Sequence, residues 1–573
     1  MREVAMMKLM DAITDKPDWN KKIFNEDILS KWREEARALP DGLVSDNTFH
    51  WCIEELKASV KYFESSHFVR TLDADVRCVK SDELISPELG DELRRAIEPL
   101  LEVSEIEKDW HPNSNGQVLN LVHPSLYPLV GGKSRILPVA KVGLNNCLDF
   151  MGQGTLIEPG EPIPSHSPGH GLSSHFNNDK LCSTNFQWLP SDIQFVGETG
   201  MDLKVASHIN NLHPERHQDL YKVIEKCIRK SVPLWNDVLV RGWRASGSHR
   251  IKINEAMCEP PQQPEWFMEV YEHEDDLTYL IPKIKEYIAQ PDNPLYTKRR
   301  ASDPRWSTLP EDPKEWTADS VYEALEEVYR RTRTIIHPEP GASTSSQVRQ
   351  PKQTGIHLEE EFRKQGLQVI VKLSSIELTP EKPDYAGGSW HLEGMLNESI
   401  VATAIYYYDV HNVTESRIRF SQENEVDSIY HGFRYEQGDH EPIAITFGAE
   451  DMWDAAAVQE IGSIATRHGR IISFPNTLRH KVEPFSLADK TRPGHRRYLV
   501  LWLVDPEQRI ASTADVPPQQ LSWADGINID EENKGHLMSL DEAKAYRLEL
   551  MKERTALNDA VEENFDTYNL CEH

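Results

Sequence analysis

GGSWHLEG, residues 387–394, sets a histidine and a carboxylate two positions apart, His391 and Glu393. In extended chain, residues i and i+2 point the same way, so this pair offers an imidazole and a carboxylate to one cation. The triplet alone carries no weight. With 23 histidines and 93 acids in 573 residues, chance supplies roughly 4 His-x-Asp/Glu triplets. Six occur, starting at His213, His217, His273, His337, His357 and His391. Four of the others sit in helical or proline-bearing contexts, and HLEEEF at His357 opens a charged run. Only His391 lies between a glycine-rich turn, YAGGSW, and an apolar strand pattern, ESIVATAIYYYDV.

The β texture extends outward from this point. LQVIVKLSSIEL, RIRFSQ, PIAITFG, GRIISFP and RRYLVLWLVDP are short runs rich in β-branched and aromatic residues, which suit a pleated, half-buried surface. Upstream, residues 1–110 read as largely helical. NEDILSKWREEARALP and SDNTFHWCIEELKASVKYFES space their apolar residues by three and four behind Asn or Ser/Asp caps. Helices are also expected in HPERHQDLYKVIEKCIRKSVPLWNDVL, in TADSVYEALEEVYRRTRT and, near the C-terminus, in SLDEAKAYRLELMKERTALNDAV. GQGTLIEPGEPIPSHSPGHG reads as a loop, and HPEPGASTSSQVRQPKQT as a mobile loop or linker. These textures divide the chain into a helical N-terminal region (1–135), a mixed α/β region packing on and completing the core (136–336), the linker (337–354), a β-rich core (355–510) and a helical tail (511–573).

Composition narrows the partners. A net charge of -30 argues against a nucleic-acid or anionic-membrane surface, since either needs clustered Lys/Arg. The apolar runs are too short to span a bilayer, the N-terminal stretch carries acids, and the seven cysteines form no CxxC pair. A cytoplasmic protein with reduced thiols acting on a small molecule is expected.

To complete an iron site a second histidine is needed, and His480 follows the strand pattern GRIISFPNTLRH. Two histidines and one carboxylate occupy one face of a metal and leave three positions open, as in non-haem Fe(II) oxygenases. From here to RRYLVLWLVDP the chain resembles the double-stranded β-helix of 2-oxoglutarate/Fe(II)-dependent dioxygenases, close to prolyl hydroxylases. The resemblance implies an α+β protein with a jelly-roll or cupin-like core, an extensive helical N-terminal region and a C-terminal helix. It implies His391, Glu393 and His480 as metal ligands and catalytic centre. Arg496 would pair with the distal carboxylate of 2-oxoglutarate, Tyr407 would support it, and Thr403 would line the same pocket. Glu393 stands where Asp is commoner. The gap from His480 to Arg496 is longer than usual, so SLADKTRP must bulge, and Arg497 stays open as the alternative to Arg496.

HPSLYPLVGGKSRIL, FQWLPSDIQF, HINNLHPE and ISFPNTLRHKVEPF further resemble a large fungal family known mainly as a domain of unknown function. Members of that family look like oxygenases of secondary metabolism, some similar to enzymes that oxidise amino acids, including closure of valine to an aziridine. The implied reaction uses O2 and 2-oxoglutarate to oxidise an unactivated C–H of a small molecule. A protein or peptide hydroxylase, or a non-catalytic β-helix binding module, are the alternatives. Substrate contacts are expected from alternate residues of LQVIVKL, with Val369 and Val371 on one face and Gln368, Ile370 and Lys372 on the other. SHINNLHP adds His208, Asn210 and Asn211.

Overall fold

The computed structural model describes all residues except 40–41, 140, 160–180, 198–201, 240–249, 294–308, 342–355, 427–428, 430–431, 436–438 and 571–573. Most of the expected linker and part of the 152–171 loop therefore lie outside the described residues.

The long apolar runs of the C-terminal half form the centre of a ten-stranded antiparallel sheet. Its strands are β1 (Val69–Thr71), β2 (Cys78–Ser81), β3 (Asp109–Trp110), β4 (Val118–Val122), β5 (Ser191–Val196) and β6 (Asp202–Val205), then β7 (Leu367–Leu378) and β8 (Ile400–His411). Beyond β9 (Arg417–Glu423) and β10 (Val458–Ala465), β11 (Ile471–Pro475) belongs to it, and so, after β12 (Arg479–Val482), does β13 (Gly494–Val504). The order is β1-β2-β11-β8-β13-β7-β4-β3, with β5 on β7 beside β4 and β6 on β5. Strands β10-β9-β12 form a separate three-stranded antiparallel sheet.

β7, β8 and β13 are buried at most positions because both faces are covered, the condition under which alternation gives way to long apolar stretches. One face packs on helices. Val369, Val371 and Leu373 of β7, Ala404 and Tyr406 of β8, and Leu501 and Leu503 of β13 join Leu93 and Ile97 of α4 (Pro87–Leu101) and Ile224, Ile228 and Trp235 of α5 (Gln218–Val238). The other face turns toward the small sheet: Ile370, Ile405, Tyr407, Phe474, Val500 and Trp502 share a core with Ile418, Phe420, Ile461 and Ile464. Each such aliphatic side chain contributes roughly 1.5–3 kcal/mol by leaving water. Leu373→Asp would put an unpaired charge between sheet and α5 and break that layer.

Helices start where capping side chains stand. Asn25 accepts from the Ile28 N–H ahead of α2 (Glu26–Arg37), and Ser45 from the Thr48 N–H ahead of α3 (Asp46–Ser66). Reciprocal capping boxes open α6 (Ala318–Thr332; Thr317/Ser320) and α7 (Leu540–Glu563; Ser539/Glu542). Together with α1 (Arg2–Thr14), α2 and α3 account for most of residues 1–66, where they build a core of their own. The expected helical region 1–135 needs correction beyond that point. β1 to β4 leave it and enter the large sheet, because their few apolar residues complete a surface already laid down by β7 and β11. Among the described residues no helix is long and apolar enough to cross a membrane.

α7 is fastened by buried charge. Arg547 donates to both oxygens of Asp109 at 2.7 Å, and Arg554 to both oxygens of Glu398 at 2.7 Å. The Arg554 guanidinium also lies 3.6 Å from the centre of the Trp188 ring, which packs 4.9 Å from Trp502 of β13. The helix thus closes one end of the interior between the sheets.

Candidate metal centre

Glycine-rich chain brings His391 into register with β12. His391 N–H donates to His480 C=O at 3.1 Å, and His480 N–H donates to His391 C=O at 3.0 Å. Their rings lie 4.3 Å apart. Gly387 has a φ of +89°, and a Cβ there would meet the Val482 carbonyl oxygen at 2.7 Å, so only glycine permits this approach. Glu393 points the same way as His391, and its Oε1 is 3.2 Å from His480 Nε2. One ligand atom from each of His391, Glu393 and His480 lies within 4.8 Å of the others. The expected trio is brought together, though 89 residues separate its first and last members.

Neighbouring groups fix each member. His391 Nδ1–H donates to Ser389 C=O at 2.9 Å, which leaves Nε2 with its lone pair. His480 is buried between Phe474 (4.7 Å) and Phe420 (6.3 Å), and its Nδ1 has no hydrogen-bond partner among the described residues. Asn476 clamps the third member: it accepts from Glu393 N–H at 2.9 Å and donates to the carbonyls of Glu393 (2.8 Å) and Ile400 (3.0 Å). Burial, with His480 alongside, lowers the His391 pKa to about 4. Burial works to raise Glu393, but the hydrogen bond and charge of His480, then His391 and Lys372, outweigh it and bring the carboxyl down to about 2. At neutral pH His391 therefore stands as a neutral imidazole and Glu393 as a carboxylate, the forms that bind a cation.

Across the same interior lies Arg496, 1% exposed on the inner face of β13. Its guanidinium is 4.7 Å from the Tyr407 ring centre, 5.5 Å from Phe485 and 5.6 Å from Tyr498. Nε and Nη1 are buried without a hydrogen-bond partner among the described residues. Tyr498, two residues along the same face, feels both the Arg496 guanidinium and the Glu393 carboxylate, which ties the two ends of the interior together. Thr403 is fully buried on the same side of β8 as Tyr407, its Oγ1 without a partner among the described residues. Arg497 faces the other way and pairs with Asp409 (3.1 Å) and Glu377 (3.3 Å). The long 486–493 insertion is tied down by Asn412, whose amide donates to the carbonyls of Asp489, Arg492 and Pro493, so β13 begins with Arg496 turned inward.

The substrate-contact expectations divide. Val369 and Val371 pack on the helices, away from the interior, because β7 alternates and its even positions turn inward. Ile370 lies in the inner core and Lys372 has its charge beside Glu393. Gln368 donates to Ile510 C=O at 2.9 Å and accepts from Ile510 N–H at 3.0 Å, so its amide is taken up by backbone. Asn210 and Asn211 donate to carbonyls of residues 123–127 and accept from Gln520, bracing that turn. His208 is buried, its pKa lowered to about 3. Asn476 and Tyr498 were given no role from sequence. The period-2 alternation of RRYLVLWLV, which puts Tyr498 on the face of Arg496 and Trp502, was the available signal.

No curated protein matches the chain. Among solved structures it is similar to a bsmA homolog from Methylobium petroleophilum PM1 (14% identity over 24% of this chain and 42% of that one, TM-score 0.14). It is also similar to the Fe(II)/(alpha)ketoglutarate-dependent dioxygenase TqaL (10%, 34% and 60%, TM-score 0.15). A third is EvdO2 from Micromonospora carbonacea var. aurantiaca complexed with 2-oxoglutarate (10%, 25% and 54%, TM-score 0.13). The chain spans less than two thirds of each of these proteins, and likenesses this faint add nothing to what its own geometry says. Family models are decisive where structures are not: residues 1–35 match "Domain of unknown function DUF4246, N-terminal". Residues 46–526 match "Protein of unknown function (DUF4246)", and the chain belongs to that family.

Proposed function

We propose that this chain is a non-haem Fe(II)/2-oxoglutarate-dependent oxygenase, its two sheets forming a double-stranded β-helix, that oxidises an unactivated C–H of a small molecule. One observation carries the reading: a His–Glu–His set and a buried guanidinium with two nitrogens unpartnered among the described residues line one interior. A buried donor left unsatisfied costs about 1–3 kcal/mol, more for a charged group, so Arg496 is built to receive an anion. The donor set suits Fe(II), and the planar fork of Arg496 suits the distal carboxylate of 2-oxoglutarate. His391, Glu393 and His480 would hold the metal, and Arg496, with Tyr407 and Thr403 beside it, the cosubstrate.

When bound, iron and 2-oxoglutarate supply oxidation by O2 with release of succinate and CO2. The chain's own part is preparation. Ser389 fixes the tautomer of His391, and Asn476 the position of Glu393. Tyr407, Phe485 and Tyr498 surround the guanidinium and hold its plane. Ile370, Phe420, Phe474 and Trp502 keep the interior apolar, which strengthens each charged contact in it.

Anaerobic titration of the purified chain with Fe(II) and 2-oxoglutarate tests the reading through the weak visible charge-transfer band of a metal-chelated keto acid. The expected result is a band absent in His391→Ala and requiring more 2-oxoglutarate in Arg496→Met. A folded chain that shows no band with iron in excess overturns the oxygenase reading and leaves a binding module.

A further inference from the structure

Lys372 faces inward from β7, level with Val500 of β13. Only Lys372 and Glu377 among the β7 positions are not fully buried, and Glu377 pairs with Arg497. β7 is flanked by strands on both edges and covered by helices on its other face. The remaining exposure of Lys372 is therefore to the interior that holds Glu393. Among the described residues its ammonium makes no hydrogen bond or ion pair. Its cationic neighbour Arg554 is already matched by Glu398, and Arg547, which acts on the two imidazoles nearby, by Asp109.

Two imidazoles complete this wall. β4 pairs with β7 at Val122 and Leu373, which brings the next residue, His123, beside Lys372; His111 lies 5.6 Å from His123, ring to ring. Burial lowers the pKa of both, and each feels the Lys372 charge, so both are neutral. Their tautomers are opposite. His123 Nδ1 accepts from Ser125 N–H at 3.1 Å, which puts its proton on Nε2. His111 Nδ1 donates to Pro112 C=O at 2.8 Å, which leaves Nε2 as an acceptor.

We infer that Lys372, His123 and His111 form a subsite for a carboxylate carried by the substrate of the proposed oxygenase. Lys372 and His123 Nε2 donate to its two oxygens, and His111 Nε2 accepts from an N–H or O–H beside it. One positive charge beyond the matched pairs of Arg547 and Arg554 suits a monoanion; a phosphate dianion would leave excess negative charge beside Glu393. An unpaired buried ammonium is costly, and the incoming carboxylate removes that cost. The inference rests on the oxygenase reading only in calling the ligand a substrate.

The full chain, with and without Fe(II) and 2-oxoglutarate, is titrated by calorimetry with isobutyrate and with its uncharged counterpart isobutyramide. Isobutyrate is expected to bind roughly tenfold or more tightly than isobutyramide, as a charged hydrogen bond warrants. Lys372→Met should abolish that preference, Lys372→Arg should retain it, and the Fe(II)–2-oxoglutarate band should persist in both. Equal binding of acid and amide, no binding of isobutyrate, or a preference that survives Lys372→Met overturns the inference. Loss of the band in Lys372→Met also overturns it, by assigning the lysine to the cosubstrate. A native chain without the band that still prefers isobutyrate through Lys372 sinks the oxygenase reading and leaves the carboxylate subsite standing.

Discussion

Arg496 and Arg497 are adjacent in sequence and opposite in use, because a strand sends successive side chains to opposite faces. Arg496→Met is expected to weaken 2-oxoglutarate binding by about 10- to 100-fold, the worth of a charge-assisted contact, with iron binding unchanged. Arg497→Met, which breaks only the half-exposed pairs with Asp409 and Glu377, should leave cosubstrate affinity as it was; calorimetry on both variants decides. Asn476 has no ligand atom in the trio yet holds Glu393 from both backbone sides. Asn476→Ala should cost about 10- to 100-fold in metal affinity, as loss of a ligand-orienting group does, read by Fe(II) titration against a competing chelator. Acid should act late. With His391 near 4 and Glu393 near 2, both are deprotonated from pH 8 down to about 5. Proton competition at these two ligands is thus expected to weaken metal affinity only as pH drops toward 4, which the same titration at stepped pH measures.

At the scale of elements, the caps and the long strands were readable in advance. Asn25, Ser45, Thr317 and Ser539 stand just ahead of the apolar periodicity and cap as their side chains dictate. β7, β8 and β13 showed as apolar runs. β1 to β4 did not, because strands of two to five residues carry too few positions to show a period and are recruited by the sheet they extend. The fastening of α7 was invisible for another reason: Arg554 and Glu398 are 156 residues apart, and nothing local in either marks them as partners. Arg554→Ala strands Glu398 in the interior and should destabilise the fold by about 3–5 kcal/mol in a urea melt. Adding Glu398→Gln should recover part of that loss, since it removes the stranded charge while its one amide oxygen still accepts from either the Trp188 or the Met395 N–H, which now donate to different oxygens.

Across the whole molecule, buried neutral histidines set the acid limit. His208, 1% exposed, has its pKa lowered by burial to about 3, against an ordinary value of 6.5. Between those values the unfolded chain holds a proton that the folded chain does not. Stability is therefore complete above pH 6.5 and falls as pH falls, by about 2 kcal/mol for this residue between pH 6.5 and 5. His213, near 4, acts with the same sign. Urea midpoints of the native chain should drop between pH 7 and 5, and His208→Gln should flatten that slope.

The sequence by itself determined the alternation of the strands, the helix starts, and the residue types of a two-histidine, one-carboxylate set, because each is written in local spacing. Only the tertiary structure decided that His391 and His480 share a backbone bridge, that Arg496 and not Arg497 turns inward, and that Lys372 makes no ion pair among the described residues while Arg547 and Arg554 are matched. Those outcomes depend on which distant strand or helix arrives to pair, pack or neutralise, and spacing along the chain does not encode what will lie across from it.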